Sequence, residues 1–208
     1  PNGCMATSGS LLNWFVDLVN NDNKKLNHSG LDKLISKRSH LKTTCIILPY
    51  FLGEKTPIHN TNAKGTITGL TLNHNIEDLW IAFLESICFA FNHHLEVLKE
   101  NKIKTDNIFA SDGGSKSKVW MQIMSNIIQK NISVVEGHHG SSKGVAFLAA
   151  KSVNLYTSYE QSNLLNKQNR IIIFQKEYSS YYKKKYLIFK KLYTSLFDLY
   201  PKINELSQ

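Results

Sequence analysis

A chain of 208 residues, 42% hydrophobic and 20% charged, is long and apolar enough to bury a core and is not of disordered composition. It holds no run of about 18 apolar residues and opens on Pro1-Asn2-Gly3 without a basic stretch and apolar core, so we expect a soluble cytoplasmic protein with no membrane partner. The formal net charge of +9 raises a nucleic-acid partner, but Arg38 and Arg170 are the only arginines and the lysine excess sits in Lys183-Lys184-Lys185 and Lys190-Lys191, so we expect a solvated helix face and no nucleic acid.

In chain order, Leu11, Leu12, Phe15, Leu18 and Val19 recur at helical spacing, so a helix begins near Ser10 and ends in Asn20-Asn21-Asp22-Asn23. A short helix follows around Leu31 to Ile35, and Thr44 to Leu48 reads as a buried strand stopped by Pro49. Gly53, Pro57, Asn60, Asn62 and Gly65 mark a long irregular loop. The stripe from Ile76 through Trp80, Leu84, Ile87 and Phe91 to Leu98 predicts a helix of about six turns. Ile108-Phe109-Ala110 and Ile132 to Val135 read as strands around a helix over Val119 to Ile128, a βαβ unit that makes the chain α/β. Ser141 to Lys151, rich in Gly and Ala, predicts a closely packed helix. Ser152 to Arg170 reads as loop, Ile171 to Phe174 as a strand, and Tyr178 to Leu206 as a terminal helix. Cys4, Cys45 and Cys88 are widely spaced among apolar neighbours and read as reduced core residues.

The segment Ala110-Ser111-Asp112-Gly113-Gly114-Ser115-Lys116-Ser117 falls where a strand hands over to a helix. Glycines there let a ligand approach the backbone, and the helix start offers unpaired N–H groups. A plain strand-to-helix turn capped by Ser117 fits the spacing equally well. Gly53-Glu54-Lys55-Thr56 and Gly140-Ser141-Ser142-Lys143 both lack the glycine directly before lysine that a P-loop needs. Adjacent histidines, His93-His94 and His138-His139, have no carboxylate or cysteine at ligand spacing, so no metal ligand is assigned. Nor does a Gly-x-Ser-x-Gly elbow support an acyl-transfer triad.

Several blocks in one order resemble the FGGY carbohydrate kinase family. They are Pro49-Tyr50-Phe51-Leu52-Gly53-Glu54-Lys55-Thr56-Pro57, Asn62-Ala63-Lys64-Gly65, Thr68-Gly69-Leu70-Thr71, Leu84-Glu85-Ser86-Ile87-Cys88-Phe89, Asp112-Gly113-Gly114, Lys143-Gly144-Val145-Ala146 and the closing Tyr200-Pro201. The resemblance implies an RNase H-like, actin-like ATPase domain with a mixed sheet flanked by helices and a C-terminal helix. It implies that residues 1–208 are the C-terminal, nucleotide-binding domain of a two-domain kinase, without its first strands and its N-terminal sugar-binding domain. ATP and Mg2+ are the implied cofactors, and a sugar or polyol is the implied acceptor. Carried over by position, Gly113, Gly114, Ser115 and Ser117 line the adenosine pocket, and Gly9 and Asn13 lie near the nucleotide.

In the family, the catalytic Asp and a Gly-Thr phosphate turn precede the segment with which this sequence opens. No catalytic residue is therefore assigned, and the chain alone is expected to be inactive. The first residue, Pro1, also suggests that the sequence opens inside a longer chain. Lys55 and Lys64 stand where the family has Arg. Lys143 replaces an apolar residue, and Val145 replaces a small one at an expected close contact, with an overpacking cost of about 1–3 kcal/mol. A nucleotide-binding remnant without turnover and a basic nucleic-acid-binding module are the alternatives, and homodimerisation of the full-length enzyme stays open.

Overall fold

The apolar stripe at the centre of the chain folds as the long helix α3, Ile76–Glu100, 25 residues. The computed structural model describes residues 2–20, 26–135, 140–165 and 169–206. A capping box starts α3: the Asn75 side chain accepts the Glu77 and Asp78 N–H groups, and Asp78 accepts the Asn75 N–H. Glu77 and Asp78 also sit at the positive end of the helix dipole. Helix α1, Gly9–Val19, lays Leu11, Leu12 and Phe15 against the core. Phe15 stacks on Trp80 of α3 with centroids 5.9 Å apart. Helix α2, His28–Ile35, is capped by the Asn27 side chain and buries Leu31 and Ile35. Arg38, just beyond α2, binds Asp78 Oδ1 at 2.8 Å. One of the two arginines is thus committed inside the fold.

Strand β1, Ile46–Leu48, pairs antiparallel with β2, Thr66–Thr68, in the register Ile47 to Ile67. The second strand was hidden in the sequence because it is three residues long and not buried. The long segment between them is irregular, as expected, yet it is tied down by specific hydrogen bonds. Glu54 Oε1 accepts the Ala6 N–H at 2.7 Å and the Lys55 N–H at 2.8 Å. Thr56 Oγ1 accepts the Cys4 N–H at 2.7 Å, and Asn60 donates to the Tyr193 hydroxyl at 3.1 Å. Gly53 takes φ +68°, and a Cβ there would meet the Thr61 backbone at 2.7 Å, so only glycine fits.

Glu54 is buried and its Oε2 has no hydrogen-bond partner. Burial pushes its carboxyl above the ordinary value of 4.5, against the two N–H donors and the nearby His94 and Lys55. A raised carboxyl contributes stability that is fully present below the unfolded value and is lost as pH rises through the folded one. Glu54→Gln keeps the acceptor oxygen and removes the titration. Its stability relative to wild type should therefore improve as pH rises above about 4.5. Urea melts across that range check this, and a difference independent of pH would show that Glu54 does not carry the dependence.

The second sheet is mixed, in the order β3-β4-β5. Strands β3, Ile108–Ala110, and β4, Ile132–Val135, are parallel, with Ile108 opposite Ile132. Strand β5, Asn169–Ile172, adds antiparallel to β4 with Ile172 opposite Ile132. It begins two residues earlier than the apolar run suggested, because the ladder pairs Asn169 with Val135 and Arg170 with Val134. Between β3 and β4 lie α4, Asp112–Ser115, and α5, Lys118–Ile128. Helix α5 buries Trp120, Met121, Ile123 and Ile127 in the same core as Ile132 and Val134. Phe109 and Ile171, on the opposite face of the strands, are exposed. Cys45 and Cys88 are buried free thiols, and burial pushes Cys45 up to about 11. Cys4 is exposed, which corrects its expected place in the core.

Helix α6, Gly140–Ser152, is not closely packed. Phe147 is buried, but Val145 is 67% exposed, and a Cβ at Gly144 would have no atom within 4 Å. The overpacking cost assigned to Val145 does not arise among the described residues, since its side chain is largely exposed. The stretch expected to be loop contains a 3-10 helix, Tyr159–Leu165. The terminal helix is two helices, α7, Ser179–Leu196, and α8, Leu199–Glu205, with Pro201 in the first turn of α8, where its missing N–H costs nothing. Helix α7 turns Tyr182, Tyr186 and Phe189 toward Phe89. The same face carries Lys185, 5% exposed, and Lys190, which pairs with Glu96 at 2.8 Å. The lysine clusters are therefore not a uniform solvated face, because helical periodicity turns some of them inward. No helix among the described residues is long and apolar enough to cross a membrane.

Candidate functional site

Helices α1, α2 and α3 and the turn after β3 enclose a cavity of about 490 Å³. Gly9, Leu12 and Asn13 of α1, His28, Ser29 and Asp32 of α2, and Trp80 and Leu84 of α3 contribute to its walls. Gly113, Gly114, Lys116, Ser117 and Trp120 close it from the turn and α5. Apolar and aromatic surface with a few polar groups is the usual make-up of a small-molecule pocket of this size.

The turn is built by local chemistry. Ser117 caps α5, its hydroxyl accepting the Trp120 N–H at 3.0 Å. Ser115 donates its hydroxyl to the Asp112 carbonyl at 2.8 Å, and Arg170 of β5 donates to the Ser115 carbonyl at 3.0 Å. The second arginine is thus also engaged within the chain, bracing this turn. The left-handed conformation falls on Asp112, with φ +66°, and not on either glycine. Gly114 is required for space: a Cβ there would meet the Trp120 ring at 2.7 Å. At Gly113 a Cβ would have no atom within 4 Å, so that position leaves the cavity open.

Five of the six residues singled out in the sequence, Gly9, Asn13, Gly113, Gly114 and Ser117, come together at this cavity. Ser115 does not line it: the residue is buried and its hydroxyl is turned back onto Asp112. The sequence reading missed His28, Ser29, Asp32, Trp80 and Trp120. Trp80 and Trp120 read as core, which they also are, and nothing in the local pattern of α2 ties it to a turn some eighty residues onward. Within the wall, Trp80 Nε1–H donates to Asp32 Oδ1 at 2.9 Å, and the His28 ring lies 5.8 Å from that of Trp80.

The expected absence of a metal site involved two histidine pairs. His94 is held by the Ala90 carbonyl and the Thr56 hydroxyl, each at 2.9 Å, and burial lowers the affinity of His93 for a proton. His138 and His139 lie outside the described residues. Among the described residues no three His, Cys, Asp or Glu gather to hold an ion. Among the described residues the cavity itself offers one carboxylate, Asp32, already accepting an indole N–H. That donor set does not fit a magnesium site.

The solved xylulose kinase of Rhodospirillum rubrum superposes on this chain with a TM-score of 0.85 and 36% identity, covering 96% of the chain and 40% of that protein. The xylulose kinase of Staphylococcus xylosus is 26% identical over 203 residues, which is 97% of this chain and 39% of that protein. The glycerol kinase of Streptococcus pneumoniae (strain 70585) is 25% identical over 170 residues, 81% of this chain and 33% of that protein. The chain thus spans less than half the length of each of these relatives, and its α/β architecture is that of the actin-like ATPase fold they share. The profile of the FGGY family of carbohydrate kinases, C-terminal domain, matches residues 2–153, and with helices, mixed sheet and glycine turn in the arrangement described, the chain belongs to that family.

Proposed function

We propose that this chain is the ATP-binding half of a cytoplasmic carbohydrate kinase that transfers the ATP γ-phosphate to a hydroxyl of a sugar or polyol of the xylulose, ribulose, gluconate or glycerol class. The observation that carries the reading is the cavity between α1, α2, α3 and the turn at Gly113-Gly114. Its indole and leucine surfaces suit the faces of a purine, and the open side at Gly113 leaves room for a ribose. Lys116, exposed at the cavity wall, supplies a positive charge that attracts the phosphates of a bound nucleotide.

In the reaction, the acceptor hydroxyl oxygen forms a bond to the γ-phosphorus as the bond to the bridging oxygen of ADP breaks, and the hydroxyl proton passes to a base. This chain contributes binding and orientation of the nucleotide. The base and the sugar contacts are assigned to the N-terminal domain that the family places before this one. Magnesium supplies charge neutralisation in such chemistry, and no residue of this chain is assigned to hold it.

Calorimetric titration of the 208-residue chain with ADP should show saturable binding at one site. Coupled assays with ATP and a panel of xylulose, ribulose, gluconate and glycerol should show no turnover by the chain alone. Robust turnover would refute the division of labour. A folded chain that binds no nucleotide would refute the pocket.

A further inference from the structure

Among the described residues Asp32 is the one carboxylate in the cavity wall, and its two oxygens are not equivalent. Oδ1 accepts the Trp80 Nε1–H at 2.9 Å, whereas Oδ2 has no hydrogen-bond partner among the described residues. Trp80 is itself immobilised, 1% exposed and stacked on Phe15. The carboxylate is therefore held in one orientation by a rigid indole while its second oxygen stays available. An ionised carboxylate can only accept hydrogen bonds. Once a ligand displaces water from the apolar walls, an acceptor of fixed orientation discriminates between ligand edges that donate and edges that accept.

On the reading that the cavity holds a purine nucleotide, we propose that Asp32, positioned by Trp80, is the base-selecting residue and accepts a hydrogen bond from the 6-amino group of adenine. Electrostatics orient the ligand the same way. Phosphate charge is repelled by Asp32 and attracted by Lys116, so the base is the part of the nucleotide that faces the carboxylate. A 6-oxo purine in that pose would place a carbonyl oxygen against Oδ2, two acceptors with no proton between them.

The arrangement makes a reversal testable. Indole N–H is a donor only, so in Asp32→Asn the amide oxygen stays on Trp80 and the amide nitrogen takes the place of Oδ2. The wall then presents a donor, which suits the 6-oxo group of inosine triphosphate and not the amino group of ATP. Calorimetric titrations of the wild-type chain, Asp32→Asn, Asp32→Ala and Trp80→Phe with ATP and inosine triphosphate read the affinity ratio directly. Wild type should favour ATP by about tenfold, Asp32→Asn should invert the preference, and Asp32→Ala should abolish it. Trp80→Phe, which frees the carboxylate to turn, should weaken it.

A purely structural Asp32 would alter both affinities together and leave the ratio unmoved. Thermal melts establish that each variant is folded, and Asp32→Ala carries the test should Asp32→Asn not fold. An unchanged ratio with ATP still bound overturns the assignment of Asp32 alone. Failure of the folded wild type to bind either nucleotide overturns the nucleotide reading and this inference with it.

Discussion

Replacing Lys185 with Met is expected to cost the chain about 3–5 kcal/mol of stability, the largest single effect on the fold. Lys185 Nζ lies 2.5 Å from Glu85 Oε2 and 2.5 Å from the Thr43 carbonyl, with the Tyr181 hydroxyl at 3.2 Å. Both charged groups are buried, Glu85 to 1% exposure. Burial pushes the Glu85 carboxyl upward and the Lys185 ammonium opposes that shift. One ammonium thus joins α7 to α3 and to the segment before β1. Removing it leaves a carboxylate in the core whose other oxygen, Oε1, already lacks a partner, so the carboxyl must take up a proton or carry an unpaired charge. The loss should be greater at neutral pH than in mild acid, where Glu85 can be neutral: a raised folded value means stability that is present at low pH and lost as pH rises.

Thermal melts of Lys185→Met and of the double variant Glu85→Leu/Lys185→Met decide the matter. The single change should lower Tm by about 10 °C or more for a chain of this size. The double change should recover most of it, because an apolar pair of similar volume carries no desolvation cost. A single variant that melts with wild type would show that the pair contributes nothing.

Valine at Gly114 should abolish nucleotide binding and destabilise the chain, whereas valine at Gly113 should reduce binding with little change in stability. The contrast follows from what a side chain meets. At Gly114 a Cβ would fall 2.7 Å from the Trp120 ring, which is 8% exposed and part of the core. The ring would have to move, at about 1–3 kcal/mol, and it would move in the wall of the cavity. At Gly113 the added atoms meet open space, so they cost the fold little, within about 0.5 kcal/mol, and occupy room that the ligand needs. Melts separate the two positions, and titration with ADP shows whether both lose affinity. Equal destabilisation at both sites would mean that the turn is wholly a packing device. Unimpaired binding in Gly113→Val would place the nucleotide elsewhere.

Periodicity and turn chemistry by themselves determined α1, α3, β1, β3, α5 and β4 to within about two residues, and α2 but for its first turn, because each is a local pattern with its own signal: Asn20 after α1, Pro49 after β1, the Ser117 cap before α5. The motif resemblance added the family and five residues of the cavity wall. Features that depend on partners distant in sequence were not legible. Strand β2 exists through its register with β1, and the early start of β5 through its ladder with β4. Val145 escapes the packing expected of it because α6 leaves that face uncovered. Lys185 looked like one of a run of solvated lysines, and only the placement of α7 over α3 turned it onto Glu85. Asp32 and Trp80, 48 positions apart, became one site when α2 docked on α3. Local free-energy terms are written in neighbouring residues, whereas burial and ion pairing belong to atoms that meet only in the folded chain. The sequence alone therefore specified elements and family, and the tertiary structure decided which charges are buried and which residues form the cavity.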